Sequence, residues 1–481
     1  MKLDLLLKNT GIPECADDGE REITAITCDS RRVVPGSVFV CINGTACDGH
    51  RFAADAERAG AAAVITERDL GLSTQRVTEN TRLAWALLCA NWFDNPATRL
   101  HMIGITGTNG KTTTATLIKS VLEADGRKVG MIGTVQNWIG DKAVGADHTT
   151  PDPYALQELL AQMVEAGCDT CVMEVSSHAL DQERVAGCVF DVGVFTNLTQ
   201  DHLDYHGTME AYMAAKKRLF SLCRVGIFNR DDPWFERISE GVPCTVSTYS
   251  AGDDRADYVA RNIRRRADGV DFELLGISQI GHVRMQIPGQ FTVYNALAAA
   301  TTCLSVGMAF DRVAEALSAA PGVKGRAEVV PTGRDFTVVI DFAHTPDGLE
   351  NICRTLKECC PGRLITVFGC GGDRDRGKRP QMGAIAARLS DHVVVTSDNP
   401  RTEDPDAIIA EILTGLDGTD TPYRAIENRI EAIGWAIRNA APGDTVLLAG
   451  KGHETYQILK NETIRLDERE VVAQALAALP R

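Results

Sequence analysis

No stretch of this sequence is apolar for long enough to cross a bilayer, and its start, Met1-Lys2-Leu3-Asp4-Leu5-Leu6-Leu7-Lys8, is broken by charge. A secretory leader needs an uninterrupted apolar segment, so a cytoplasmic protein without a membrane partner is expected. A disulfide framework is missing too. The 15 cysteines are odd in number and scattered over 481 residues, unlike the short, even-numbered pattern of secreted scaffolds. The one Cys-x-x-Cys, Cys168-Asp-Thr-Cys171, has no second pair or suitably spaced histidines to complete a zinc site. It reads as two small apolar side chains at the entry to a strand. Positive charge is in deficit. The formal net charge is −15 and the basic run Arg264-Arg265-Arg266 is short, so no nucleic-acid partner is expected. If the substrate is anionic, local cations must hold it against the global field. Internal repeats and low-complexity tracts are absent as well.

What is present suits a soluble multidomain chain, with 44% hydrophobic and 24% charged residues. The opening third alternates strand signals at 23–28, 37–42 and 62–66 with helix signals at 53–61 and 84–91. A second unit starts with an apolar strand at 102–105. Helices at 112–124, 154–166, 209–220 and 294–308 alternate with strands at 129–132, 171–175 and 192–196. After a linker-like Pro321-Gly322-Val323-Lys324-Gly325-Arg326, strands at 337–341, 364–368, 392–396 and 445–449 alternate with helices at 348–357, 380–389, 406–413 and 429–439. Such alternation predicts α/β domains with parallel sheets covered on both faces. Three are expected: a small N-terminal α/β domain over 1–98, a central parallel-sheet domain over 99–326 and a C-terminal Rossmann-like domain over 327–481.

The strongest local signal is Gly104-Ile-Thr-Gly107-Thr108-Asn109-Gly110-Lys111-Thr112-Thr113, in which a strand feeds a glycine-rich turn and a helix follows at once. Glycines let the backbone wrap a phosphate, and the helix N-terminus adds its positive end. Lys111 reaches outer phosphates, and the Thr112 hydroxyl is a Mg²⁺ ligand in such loops. The spacing departs from the standard P-loop because Ile stands at position 105. Glu174 ends an apolar strand, where a carboxylate beside a phosphate loop holds Mg²⁺ directly or through water. Thr199-Gln-Asp201-His202-Leu-Asp204 follows the next strand and predicts metal or phosphate contact at the same sheet edge.

Gly107-Thr-Asn-Gly-Lys-Thr-Thr113, Glu174-Val-Ser-Ser-His178, Asp201-His-Leu-Asp204 and Asp341-Phe-Ala-His-Thr-Pro-Asp347 together resemble the Mur ligases, in order and across all three expected domains. Gly372-Asp-Arg374, Asp398-Asn399-Pro400-Arg401 and Gly450-Lys-Gly-His-Glu454 resemble the members that add 2,6-diaminopimelate as third stem residue. The resemblance implies that the N-terminal domain binds UDP and the central one ATP. ATP and Mg²⁺ would serve to form an acyl phosphate on the D-glutamate carboxylate of a UDP-linked muramoyl dipeptide, which the diaminopimelate amine then attacks. Small-molecule partners and a monomer are expected.

The resemblance also distributes roles. Lys111, Glu174, His202 and Lys216 would be catalytic, with Lys216 carbamylated and joining Thr112, Glu174 and His202 as metal ligands. Gly107 to Thr113, Asn295, Arg326 and Asp341 would bind ATP. Cys28, Ser30, Thr45, Ala46, Cys47, Thr149, Thr150, Ser176, Gln182 and Arg184 would bind the UDP-muramoyl dipeptide. Arg374, Asp398, Asn399, Pro400, Arg401, Gly450 and Glu454 would bind diaminopimelate. The Arg401 assignment also has a chemical basis. Diaminopimelate differs from lysine by a distal carboxylate, and a planar guanidinium fork pairs with both of its oxygens. Two rivals share parts of the pattern. A folylpolyglutamate synthase shares the phosphate loop and second α/β domain, and a P-loop switch shares only ATP hydrolysis.

Overall fold

The computed structural model describes residues 1–15, 18–44, 47–146, 148–266 and 268–479. The chain clusters into two compact units, Met1–Tyr258 with Ala298–Ala309, and Val259–Leu297 with Phe310–Arg481. Among the described residues no helix is long and apolar enough to cross a membrane.

The first unit holds two sheets. The N-terminal one has four parallel strands in sequence order, Ala25–Thr27, Ser37–Val40, Ala63–Thr66 and Gln75–Val77. Its middle strands are continuous apolar runs because both faces are covered. Leu3, Leu7, Trp85 and Leu88 pack with Val38 and Ile65 on one side, while Ala53 and Ala56 pack with Phe39 and Val64 on the other. The predicted helix at 84–91 lengthens to Thr81–Trp92, because the Asn80 side chain caps the N–H groups of Arg82 and Leu83.

In the second sheet the parallel order is Thr245–Ser250, Cys223–Asn229, Phe190–Phe195, His101–Thr106, Thr170–Glu174, Val129–Ile132. Two short antiparallel strands, Asn137–Ile139 and Lys142–Val144, extend one edge. Crossover helices Lys111–Ala124 and Pro153–Glu165 lie within a residue or so of their predicted bounds. Cys168 and Cys171 are buried in this unit's core with Met102, Leu160 and Phe190.

The second unit takes up, from Val259 on, an antiparallel meander of strands Tyr258–Arg266, Gly269–Gly276 and Gln279–Met285, which the sequence reading did not anticipate. A six-stranded sheet runs in the order Glu328–Val330, Thr337–Asp341, Thr445–Ala449, Leu364–Phe368, His392–Val395, Tyr423–Ala425, with only the first strand antiparallel, and Tyr456–Ile458 and Thr463–Arg465 form a separate antiparallel pair. The core joins Val338, Ile340, Val367, Val394, Ile433 and Leu448.

Candidate active site

Strand His101–Thr106 lies between Phe190–Phe195 and Thr170–Glu174, all parallel. Their C-terminal ends therefore deliver residues 107–110, Glu174 and the segment from Thr196 to one sheet edge, the side on which such sheets bind ligands. The fit there is close. A Cβ on Gly107 would stand 1.9 Å from Thr196 Oγ1. Asn197 accepts from the N–H of Thr108 through its carbonyl and from that of Asn109 through its side chain, both at 2.9 Å. Gly110, with φ +84°, opens helix Lys111–Ala124, and a side chain resists that left-handed conformation.

Two amines meet at this loop. Lys111 Nζ donates to the carbonyls of Gly107 (2.9 Å) and Thr108 (2.8 Å), and Lys216 Nζ donates to the Gly107 carbonyl at 2.8 Å. Lys216 is buried on helix Met209–Lys217 and lies 4.4 Å from the Tyr212 ring centroid. Burial, and then the charge of Lys111, hold its ammonium well below the ordinary lysine range, with Asp201 opposing. Lys217 donates instead to the carbonyls of Arg237 and Glu240, away from the loop.

Glu174 is buried, and both of its carboxylate oxygens accept hydrogen bonds. Thr112 Oγ1 donates to Oε1 at 2.9 Å, as does the Thr134 N–H at 3.0 Å, and the Thr134 hydroxyl donates to Oε2 at 3.0 Å. Among the described residues no group of three or more His, Cys, Asp or Glu side chains is gathered to hold a metal. One carboxylate and threonine hydroxyls form an all-oxygen donor set, which suits a hard cation that keeps water and phosphate ligands. His202, at φ +51°, is set against Asp201, whose carboxylate accepts its N–H at 2.8 Å. Its ring lies 4.9 Å from that of His178 and 6.1 Å from that of Tyr212. The structure does not bring it into contact with Thr112 or Glu174. Burial, followed by the charges of His202 and His206, lowers the His178 imidazole.

The residues assigned to the muramoyl dipeptide are brought together. Thr150 Oγ1 donates to the Glu174 carbonyl (2.8 Å) and accepts the Ser176 N–H (3.0 Å), and the hydroxyls of Thr149 and Thr134 are 3.0 Å apart. The Arg184 guanidinium donates to the Thr150 carbonyl at 3.0 Å and to Gln182 Oε1 at 2.8 Å, and Gln182 donates to the Tyr205 hydroxyl at 3.2 Å. In the N-terminal sheet Cys28 and Cys47 are exposed, and Ser30 starts a single turn capped by Asp29. Thr45 and Ala46 lie outside the described residues.

The remaining assignments fall in the second unit. Asn295 is buried. Asp341 accepts the N–H groups of Ala327 (2.6 Å) and Ala343 (2.8 Å), and burial raises its carboxyl while Arg326 opposes. The Arg326 guanidinium lies 5.1 Å from the Phe342 ring centroid. The turn Asp398-Asn399-Pro400-Arg401 follows strand His392–Val395. Arg401 takes φ +53° and donates to the Gly372 carbonyl at 2.8 Å, while the Gly372 N–H donates to the Asn399 carbonyl at 2.9 Å. Asn399 Nδ2 donates to Glu454 Oε2 at 2.9 Å. Arg374 is exposed nearby in sequence and donates to the Asp373 carbonyl. Sequence reading missed Thr134, which has no motif around it, and Lys451, which lies inside the quoted Gly450 to Glu454 segment.

Family profiles match three successive segments of the chain: the Mur ligase family catalytic domain over residues 22–84, the Mur ligase middle domain over 105–303, and the Mur ligase glutamate ligase domain over 325–452. The UDP-N-acetylmuramoyl-L-alanyl-D-glutamate–2,6-diaminopimelate ligase of Syntrophomonas wolfei is 47% identical, with 99% of each chain covered. The enzyme of that name numbered 1 in Clostridium acetobutylicum is 45% identical, with 100% of each covered. A solved structure titled as a ligase of the same name superposes with a TM-score of 0.77 at 33% identity, covering 99% of each chain.

Proposed function

The chain belongs to the Mur ligase family, and from that membership we propose that it joins 2,6-diaminopimelate to the D-glutamate side chain of UDP-N-acetylmuramoyl-L-alanyl-D-glutamate, in peptidoglycan precursor synthesis. It is an ATP-dependent acid–amino-acid ligase. The γ-phosphoryl group passes to the carboxylate, ADP leaves, the amine nitrogen attacks the acyl carbon, and phosphate and a proton depart as the amide forms.

An oxygen anion must approach a triphosphate in the first step, so cations at the loop are required. Lys111 is proposed to neutralise charge on the moving phosphoryl group. Thr112 and Glu174 fit Mg²⁺ by donor type, with His202 and a carbamylated Lys216 proposed as further ligands. The metal would screen the phosphates and the developing charge. Carbamylation needs an unprotonated amine: the nitrogen bonds to the CO₂ carbon and releases a proton, leaving an anionic carbamate. Two amines on one carbonyl, one of them buried, favour that condition at Lys216, while Lys217 donates to carbonyls away from the loop. Asn295, Arg326 and Asp341 are proposed nucleotide contacts. The Ser30, Cys47 and Thr149 to Arg184 segments are proposed to bind the UDP-linked dipeptide. Divisions near 98 and 326 are the proposed domain limits.

The choice of amino acid rests on one observation. Arg401 is fixed on the Gly372 carbonyl by a proline-stiffened turn at a strand end, and its fork has further N–H donors for a distal carboxylate. The test is ATP-dependent product formation with the UDP-linked dipeptide, comparing diaminopimelate with L-lysine. Diaminopimelate should be preferred by about 10⁴-fold, the scale on which polar sites reject analogues that leave them unpaired. Arg401→Ala should lose most of that preference and keep nucleotide binding. Equal use of lysine, or a retained preference in Arg401→Ala, would sink the assignment. Glutamate addition to a folate would instead favour the folylpolyglutamate reading, and ATP turnover without either substrate would favour the switch.

A further inference from the structure

Lys451 is among the most deeply buried cations of the second unit. It is fully buried, yet its amine sits among the side chains proposed to bind diaminopimelate. Nζ lies 3.1 Å from Asp398 Oδ1, 3.1 Å from Glu454 Oε2 and 2.9 Å from Asn399 Oδ1. The backbone turns it inward. Gly450 and Gly452 take φ of +113° and +53° on either side of it, conformations in which glycine is favoured. Both also stand where a side chain has little room. A Cβ on Gly452 would meet Phe342 Cβ at 2.6 Å, and one on Gly450 would meet Asp398 Oδ2 at 3.2 Å.

We infer that Lys451 is a positioning residue for the amino-acid substrate: it lowers the charge of the Asp398–Glu454 pair to a net −1 and fixes which way the Asn399 amide points. The inference rests on the reading that this turn binds diaminopimelate. The charge argument follows from counting. Two carboxylates and one ammonium leave one negative charge, which matches the single ammonium at the far centre of diaminopimelate. Without the lysine the two carboxylates would keep only the Asn399 amide on Glu454 and the more distant Arg429, whose own charge is paired with Glu468, and would carry an excess negative charge. The amide argument follows from donors. Asn399 Oδ1 accepts from Lys451 Nζ and from the Ile458 N–H at 3.0 Å, so Nδ2 must be the atom directed at Glu454. Lys451 has no exposed surface, so it acts on the substrate through these three side chains.

The experiment uses the full-length enzyme with ATP and the UDP-linked dipeptide, varying diaminopimelate. Truncating one member of a buried hydrogen-bonded charge set costs roughly 30-fold or more. Lys451→Met should therefore raise KM for diaminopimelate by about that factor, with KM for ATP unchanged and kcat changed far less. Lys451→Gln, which keeps a donor to Asn399 but no charge, should fall between the two. Glu454→Gln alone removes a proposed substrate contact, but in Lys451→Met it also removes the excess carboxylate charge, so the loss in the double variant should be smaller than the product of the two single losses. If Lys451→Met unfolds, as read by its thermal transition, Lys451→Gln and the double variant carry the test. An unchanged KM for diaminopimelate, a loss confined to kcat and ATP, or losses that multiply in the double variant would overturn the inference. A wild-type enzyme that fails to ligate diaminopimelate would overturn the substrate reading instead.

Discussion

Lys216 and Lys217 are neighbours of the same type, and helix periodicity alone separates their fates. Tyr212 and Lys216 share a face at i, i+4, toward the glycine-rich turn at Gly107, while Lys217 is turned by a further 100° toward other carbonyls. Because CO₂ reacts only with an unprotonated amine, lowering pH through the depressed Lys216 value removes the reactive form. Activity should therefore fall on the acid side, more steeply in CO₂-depleted buffer, and return with bicarbonate. Lys216→Ala should lose about 10²–10³-fold in kcat or more, as for loss of a charge contact in the transition state, and Lys217→Ala should stay within about twofold. Rates insensitive to CO₂ together with an active Lys216→Ala would remove the carbamate. The strand–turn–helix around residues 107–110 was legible from glycine spacing. The choice between two adjacent lysines was not, since only the family resemblance pointed to position 216. Lys451 escaped because a lysine between two glycines reads as an exposed loop residue until the backbone is seen to turn it inward.

At the scale of elements, the parallel strands were readable because burial on both faces makes them continuous apolar runs, as in Val446-Leu447-Leu448-Ala449. The antiparallel meander was not. Its first strand carries Arg261 and Arg264 to Arg266 with one side to solvent, and a register shift between Arg261 and Arg264, with Asn262 at φ +52°, interrupts the alternation that would mark it. Arg265 and Arg266 pair with Glu358, Asp268 and Asp271, so the basic run is an ion-paired surface. The turn at 398–401 is likewise a product of two elements. A Cβ on Gly372 would stand 1.9 Å from the Pro400 carbonyl oxygen, which forces the two segments apart. Gly372→Ala should raise KM for diaminopimelate by about 10²-fold, the usual cost of misplacing a binding group by an ångström, and leave nucleotide affinity intact. Gly322→Ala, which meets nothing within 4 Å, serves as the control. Equal diaminopimelate KM values for the two variants would show that the clasp is irrelevant to binding.

Across the whole molecule, an excess of acid coexists with three cations at the proposed site segments, Lys111, Arg184 and Arg401, and composition could report the excess but not the placement. The grouping of residues 259–297 with the C-terminal part also left no mark in the sequence, because the chain passes into and out of that unit inside ordinary strands and helices. The thiols are distributed unevenly in another way. Cys15, Cys28 and Cys47 are exposed and all lie in the N-terminal sheet region, although burial and then Asp152 raise the Cys28 thiol; burial pushes the Cys41, Cys188, Cys353 and Cys370 thiols up to about 12. Since the thiolate is the nucleophile, a brief exposure to an alkylating reagent should mark the N-terminal sheet first. UDP-linked dipeptide should slow modification of Cys28 and Cys47, as mapped by peptide mass, and diaminopimelate should not. Modification at one rate with and without that substrate would place it elsewhere. The native cysteines would thus serve as footprinting positions that need no engineered label, reporting whether the N-terminal sheet is covered.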